Sequence, residues 1–300
     1  MGNTVIWVHS SAVVFSYDSQ SDVEYYLKNF EKMGLESMII CTEGDLDLIR
    51  IDNLIQGKNV ELLFNRERIG KSAAYNNAMK HVKSSVVFLI SGDVRFDPHI
   101  IKIMEESMEE DEIIIPRVVP FETESLAGKI ASFMWNVHDT CLDSDDRDYM
   151  KSGGEFQALR TKGLVTMPRV INDDEYICLT ATLSGMKVRY RRDLVVRNWV
   201  PETFKELLNQ RIRINFGHLE MKRYFGKNAS LSLNFFRNIR KSLKIMEKNL
   251  LRYPEDIRYI LPAFVLEMTS ITFAYLDLKR SKGHVFWEIV SSSHDFGNSH

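Results

Sequence analysis

Residues 86–90, VVFLI, form an unbroken apolar run that leads directly into Ser91-Gly92-Asp93. A strand that is apolar at every position is buried on both faces, which happens when helices cover both sides of a parallel sheet. Similar short runs predict strands at Ala12–Ser16, Ser37–Cys41, Glu61–Phe64 and Ile113–Arg117. Amphipathic spacing between them predicts helices at Ser21–Met33, Ser72–His81 and Pro98–Met108. The alternation predicts an open α/β sheet, whose ligands bind outside the carboxyl ends of the strands. Asp93 falls at such an end, beside a glycine that lets backbone approach a ligand; the alternative is an Asp capping the turn before the Pro98 helix.

Three hundred residues at 44% hydrophobic composition suffice for one large domain or two small ones. Cys41, Cys141 and Cys178 are odd in number, far apart and without Cys-x-x-Cys spacing, which argues against a disulfide framework or a zinc ribbon and predicts a reducing, cytosolic setting. The first residues carry no basic segment ahead of a long apolar run, so no signal peptide is expected. Acidic runs at Glu105–Glu112 and Asp143–Asp148 read as solvated surface.

Overall charge is nearly balanced, at 39 basic against 41 acidic residues, but its distribution is not. Between Lys205 and Arg252 twelve basic residues face three acidic ones, so an anionic partner is expected there. Residues 231–252 place Leu, Phe, Ile and Met at helical spacing against Lys and Arg, a pattern that suits an anionic membrane surface or, alternatively, a packed helix with a solvated basic face. Residues 259–276, YILPAFVLEMTSITFAYL, hold Glu267 as their only charge. A central carboxylate is poorly tolerated in a bilayer, so an interfacial or partly inserted helix is expected, with Arg258, Lys279, Arg280 and Lys282 among headgroups.

Residues 65–72, NRERIGKS, come close to a phosphate-binding P-loop, but Asn65 stands where the first glycine belongs. The longer stretch NRERIGKSAAYNNA instead resembles the Asn-x-Gly-Lys-x-x-Ala-x-Asn segment of family 2 glycosyltransferases. In the same order, FLISGDVRFDP resembles their Asp-x-Asp strand end. GGEFQALRTKGLVTMPRVINDDEYICLTATLSG resembles their acceptor-side segment with its acidic pair. NQRIRINFG resembles the Gln-x-x-Arg-Trp motif of the membrane-associated branch, often engaged in polysaccharide biosynthesis. Together these motifs run over roughly residues 12 to 290.

The resemblance implies an α/β, GT-A fold, Rossmann-like, with a mostly parallel sheet flanked by helices and with C-terminal amphipathic helices. Residues 1–200 would form the catalytic domain and residues 201–300 the membrane-proximal helices. The implied activity is inverting transfer of a sugar from a nucleotide-diphosphate donor to the hydroxyl of a glycan or lipid-linked acceptor, at the cytosolic face of a membrane. The alternative is a non-catalytic sugar-nucleotide binder that retains the fold. No nucleic-acid partner is expected.

By the same resemblance Asp174 would be the general base, with Asp173 and Gly154 on the acceptor side. Asp93 would hold Mg2+ or Mn2+ against the diphosphate. Tyr17, Asp18, Glu43, Lys71, Asn76, Asp93, Gln210, Arg211 and Arg213 would contact the donor. The chain departs from the family at Ser91, where an Asp is usual, at Ile214, where the motif ends in Trp, and in IICTEGDLD after the second strand. The chemistry explains the residue types: a departing diphosphate needs cations or a metal, and an attacking hydroxyl needs a carboxylate within hydrogen-bond reach.

Overall fold

The computed structural model describes residues 9–110, 112–144, 153–235 and 237–280. Lys282 and residues 145–148 of the second acidic run lie outside them. The predicted strands and helices of the first half form, with small shifts at their ends. They are β1 (Ser10–Tyr17), α1 (Gln20–Met33), β2 (Ser37–Glu43), β3 (Val60–Asn65), α3 (Lys71–Ala78), β4 (Val86–Ser91), α4 (His99–Ser107) and β6 (Glu112–Pro120). Elements that the periodicity did not announce are α2 (Leu48–Ile55), the short β5 (Arg95–Phe96), α5 (Leu126–Leu142), β7 (Phe156–Arg160) and β8 (Lys187–Asn198).

The strands make one eight-stranded sheet in the order β3-β2-β1-β4-β7-β6-β8-β5. β3, β2, β1 and β4 are mutually parallel, as are β6 and β8. β7 runs antiparallel between β4 and β6, and β5 runs antiparallel against β8. Side chains that alternate along the buried strands feed two cores, one on each face. Ala12, Val14, Phe88 and Ile90 join α1 and α4 on one side. Val13, Val87, Leu89 and Ile113 join α3 and the helix α6 (Asp173–Leu183) on the other. Burying both faces in this way explains why VVFLI has no polar position.

After β8, the 22-residue helix α7 (Phe204–Phe225) starts at a capping box, in which Thr203 Oγ accepts from Glu206 N and Glu206 reaches back to Thr203 N. The basic stretch expected as one helix is two: α8 (Leu231–Asn234) and α9 (Ile239–Arg252). α10 (Ile260–Lys279) then packs along α7 through Ala263, Glu267, Ser270 and Ala274, all buried. With the 3-10 turn before it, residues 254–279 are long and apolar enough to cross a membrane, by length and composition alone. α5, α7, α9 and α10 share a third core built on Ala127, Ile130, Phe133, Leu207 and Ala263, so the C-terminal helices lie against the α/β unit.

Candidate active site

The carboxyl ends of β1 and β4 meet at a close approach. A Cβ on Gly92 would come within 2.9 Å of Ser16 Cβ and 3.1 Å of the Phe15 carbonyl, so only glycine fits there. The turn that follows is held rigidly. Tyr26 Oη donates to the Ser91 and Val94 carbonyls at 3.1 and 2.8 Å, and Arg95 donates to Gly92 O and Val94 O while pairing with Asp22. Asp93 is thereby fixed at the wall of a cavity of about 1030 Å³. Burial, and next the nearby Asp22 charge, push its carboxyl above the ordinary value.

A second carboxylate reaches the same wall from β7. Ser91 N donates to the Glu155 carbonyl at 2.8 Å, which sets Glu155 beside the end of β4. Burial, then the charges of Asp174 and Asp93, push the Glu155 carboxyl well above its usual range. Its Oε1 accepts from Asn198 Nδ2, while its buried Oε2 has no hydrogen-bond partner. Sequence reasoning passed over Glu155; its only signal was the GGE that opens the acceptor-side segment. Ser91, standing where an Asp was expected, donates its hydroxyl to Gly154 O at 3.0 Å.

The Gly-Lys loop and the start of α6 supply opposite charges. Lys71 begins α3, and its Nζ lies 2.9 Å from Asp173 Oδ2 and 3.3 Å from Gly154 O. Burial works against the Lys71 ammonium, but Asp173 outweighs it and holds the pKa above the ordinary value. Gly154, at φ +83°, lies so near Asp174 that a Cβ there would sit 3.5 Å from its carboxyl carbon. Arg213 faces Asp173, Asp174 and Glu155; burial pushes it down to about 10, so it remains a cation at neutral pH.

The first turn of α6 is pinned to α7 from below. Asn172 Nδ2 donates to Glu175 Oε2 and to the Ile214 carbonyl, and Glu175 Oε2 lies 2.5 Å from His218 Nδ1. Glu175 Oε1 also accepts from Ala229 N at 2.6 Å, tying down the chain after α7. A buried, multiply bonded carboxylate locks orientation, so this network aims Asp173 and Asp174 at the cavity. Glu175 and His218 are positioning residues with no local sequence signal, because the contact spans 43 positions.

Most predicted donor residues border the cavity: Tyr17, Glu43, Lys71, Asp93, Gln210, Arg211 and Arg213. Arg68 lies 3.8 Å over the Tyr17 ring, and Glu43 Oε1 accepts from Ile69 N and Gly70 N, which fixes the Gly-Lys loop. Arg211 is engaged elsewhere, in a two-pronged pair with Glu267 of α10 at 2.9 and 2.7 Å. Asp18, at φ 49°, accepts from Asp45 N and is not among the lining residues. Nor is Asn76, whose amide binds both the N–H and the carbonyl of Met167.

A mostly parallel sheet whose strand ends, Gly-Lys loop and acidic helix start converge on one cavity defines the GT-A class. Residues 48–162 match the model of Glycosyl transferase family 2, and with that domain the chain is a glycosyltransferase. Among solved structures, the fold is similar to the mannosyltransferase PcManGT from Pyrobaculum calidifontis in complex with GDP-Man and Mn2+. The TM-score is 0.63 at 14% identity, over 92% of this chain and 88% of that one. Glucosyl-3-phosphoglycerate synthase from Mycobacterium tuberculosis, with Mn2+ and UDP, gives 0.48 at 12% identity over 70% and 78%. TarS from S. aureus gives 0.49 at 14% identity over 71% and 40%. A comparison with curated protein sequences found no match.

Proposed function

We propose that the chain moves a sugar from a nucleotide-diphosphate donor to an acceptor hydroxyl with inversion at the anomeric carbon. The observation that carries this is the convergence of Lys71, Arg213, Asp93, Glu155, Asp173 and Asp174 on one cavity. The acceptor oxygen attacks the anomeric carbon as the bond to the diphosphate oxygen breaks. The electron pair leaves with the nucleoside diphosphate, and the acceptor proton passes to Asp174. Asp174 takes the base role by the family resemblance, with Asp173, 2.9 Å from Lys71 Nζ, as its neighbour. Lys71 and Arg213 supply the fixed positive charge that a departing diphosphate needs.

Asp93 and Glu155 suit a divalent cation. Among the described residues neither has a cationic partner at hydrogen-bond distance and Glu155 Oε2 is unpartnered, and burial raises the pKa of both. No group of three or more His, Cys, Asp or Glu among the described residues could hold a metal alone. This fits Mg2+ or Mn2+, which takes one or two carboxylates and completes its shell with substrate phosphates and water. When bound, it would neutralise charge building on the diphosphate. GDP-Man and Mn2+ occur together in PcManGT, which supports the same reading.

The C-terminal helices support attachment to the cytosolic face of an anionic membrane. Leu243 and Leu251 of α9 and Leu261 and Val265 of α10 are exposed, as are Arg237, Arg240 and Lys244. Nucleotide release from a panel of sugar nucleotides with Mg2+ or Mn2+ tests the reaction. Asp174→Asn should lower turnover by roughly 10²–10⁴-fold. Equal turnover in wild type, Asp174→Asn and Asp93→Ala would overturn the residue roles.

A further inference from the structure

The cavity does not end at the charged cluster. It continues between α5, α9 and α10, where Met134, Val137, Met246, Leu250, Phe264 and Met268 line it. At about 1030 Å³ it lies at the top of the roughly 300–1,000 Å³ range of ordinary ligand sites, room for more than a donor. Its far walls run out onto Leu243, Leu251 and Leu261, which are 55%, 79% and 71% exposed. On α9, exposed Leu243 and Leu251 share the helix with exposed Arg240 and Lys244, a combination that suits a lipid headgroup layer, from which a chain can enter sideways.

We infer that the acceptor is a lipid alcohol whose aliphatic chain lies in this groove and whose hydroxyl reaches Asp174. This rests on the transfer reading above. Three observations favour that occupant. The apolar and charged ends are one cavity, so a single molecule can span them. The apolar end is walled mainly by Leu, Val, Met and Phe, with His138, Ser232 and Glu247 as the polar side chains of α5, α8 and α9 on the lining; such mostly apolar, Met-rich walls adapt to a flexible chain better than to the many hydroxyls of a glycan. The charged end holds Asp93, Glu155, Asp173 and Asp174, so with Lys71 and Arg213 serving the donor, an uncharged hydroxyl head is favoured over an anionic one.

The experiment uses the full chain and 1-octanoylglycerol carrying a diazirine near the end of its chain, with labelled peptides identified by mass spectrometry. Saturable labelling is expected on Met134, Met246, Phe264 or Met268. Unlabelled 1-octanoylglycerol should compete roughly a hundredfold better than 1-butanoylglycerol, the difference expected for four buried methylenes. Met268→Trp, which fills the groove, should abolish labelling, and competition in the unaltered protein tests the idea even if that variant fails to fold. Labelling confined to Ile257, Phe273 or Tyr275, indifference to chain length, or displacement by a peptide of residues 281–300 would overturn the inference. Nucleotide release with a water-soluble sugar acceptor and no saturable labelling would sink the lipid acceptor and leave the transfer reading standing. Saturable labelling with no nucleotide release from any donor would sink the transfer reading, and the acceptor role with it, leaving a lipid-chain site.

Discussion

Arg211 poses the sharpest choice, because the motif it resembles assigns it to the donor whereas the structure ties it to α10. Its guanidinium meets both oxygens of Glu267, and Glu267 is only 6% exposed. Removing one partner of such a buried pair costs about 3–5 kcal/mol, since the other charge is left uncompensated. Asn215 Nδ2 and Arg211 share Glu267 Oε1, so the amide would still partner the carboxylate and the loss should fall near the lower figure. At roughly 2–4 °C per kcal/mol for a domain of this order of size, Arg211→Met should melt about 6–12 °C lower than wild type. The double variant Arg211→Met/Glu267→Met removes both charges and should recover most of that loss. Thermal unfolding by circular dichroism, paired with calorimetry of nucleoside diphosphate binding, reads both properties. A melting point within about 2 °C of wild type, combined with diphosphate affinity more than tenfold weaker, would refute the helix-tie assignment and return Arg211 to the donor.

Three further outcomes are expected. Gly217→Ala would drive a Cβ to within 2.3 Å of Asn172 Oδ1, which is locked by Glu175 and Ile214; turnover should fall by tenfold or more as α6 shifts, with donor affinity less affected. Asp139, 3% exposed, accepts from Tyr190, Arg192 and Tyr253, so Asp139→Asn should cost about 3–5 kcal/mol in denaturant unfolding. Burial raises the Asp139 pKa, but bonds from Tyr190, Arg192 and Tyr253 win and depress it; its contribution is therefore present above the unfolded-state value and lost as pH falls through the folded one. Glu155 has the opposite sign: its folded pKa is raised, so metal-free wild type should gain stability over Glu155→Gln as pH drops towards the ordinary carboxylate range. A flat difference between the two unfolding profiles from pH 8 to pH 5 would contradict this.

The first half of the sheet was legible because its strands are buried on both faces and their apolar runs stand out against amphipathic helices. β7 and β8 were not. FQALR is short, and β8 alternates Arg with Val and Tyr along a half-exposed ladder, so neither resembles a buried strand. The basic stretch read as a single helix breaks between Asn234 and Ile239, a break that amphipathic spacing does not reveal. On the cavity wall, the positions of Lys71, Asp93, Asp173 and Asp174 were readable because motif spacing places them at strand ends and helix starts. Glu155, Glu175 and His218 were not, since their roles arise from contacts across β7 and α7. Asn76 sits within a recognisable motif, yet the loop at Met167 engages both ends of its amide.

The antiparallel course of β7 makes the acidity of the site a property of strand alignment. Residues near the end of β4 and the start of β7 are neighbours only because Ile90 pairs with Phe156 and Ser91 N donates to Glu155 O. A slip of one position along that ladder would send every β7 side chain to the opposite face and carry Glu155 away from Asp93. Substitutions deep in the β4–β7 ladder, such as at Phe88 or Ala158, can thus silence the proposed reaction centre without touching it, by letting the two strands be read out of step.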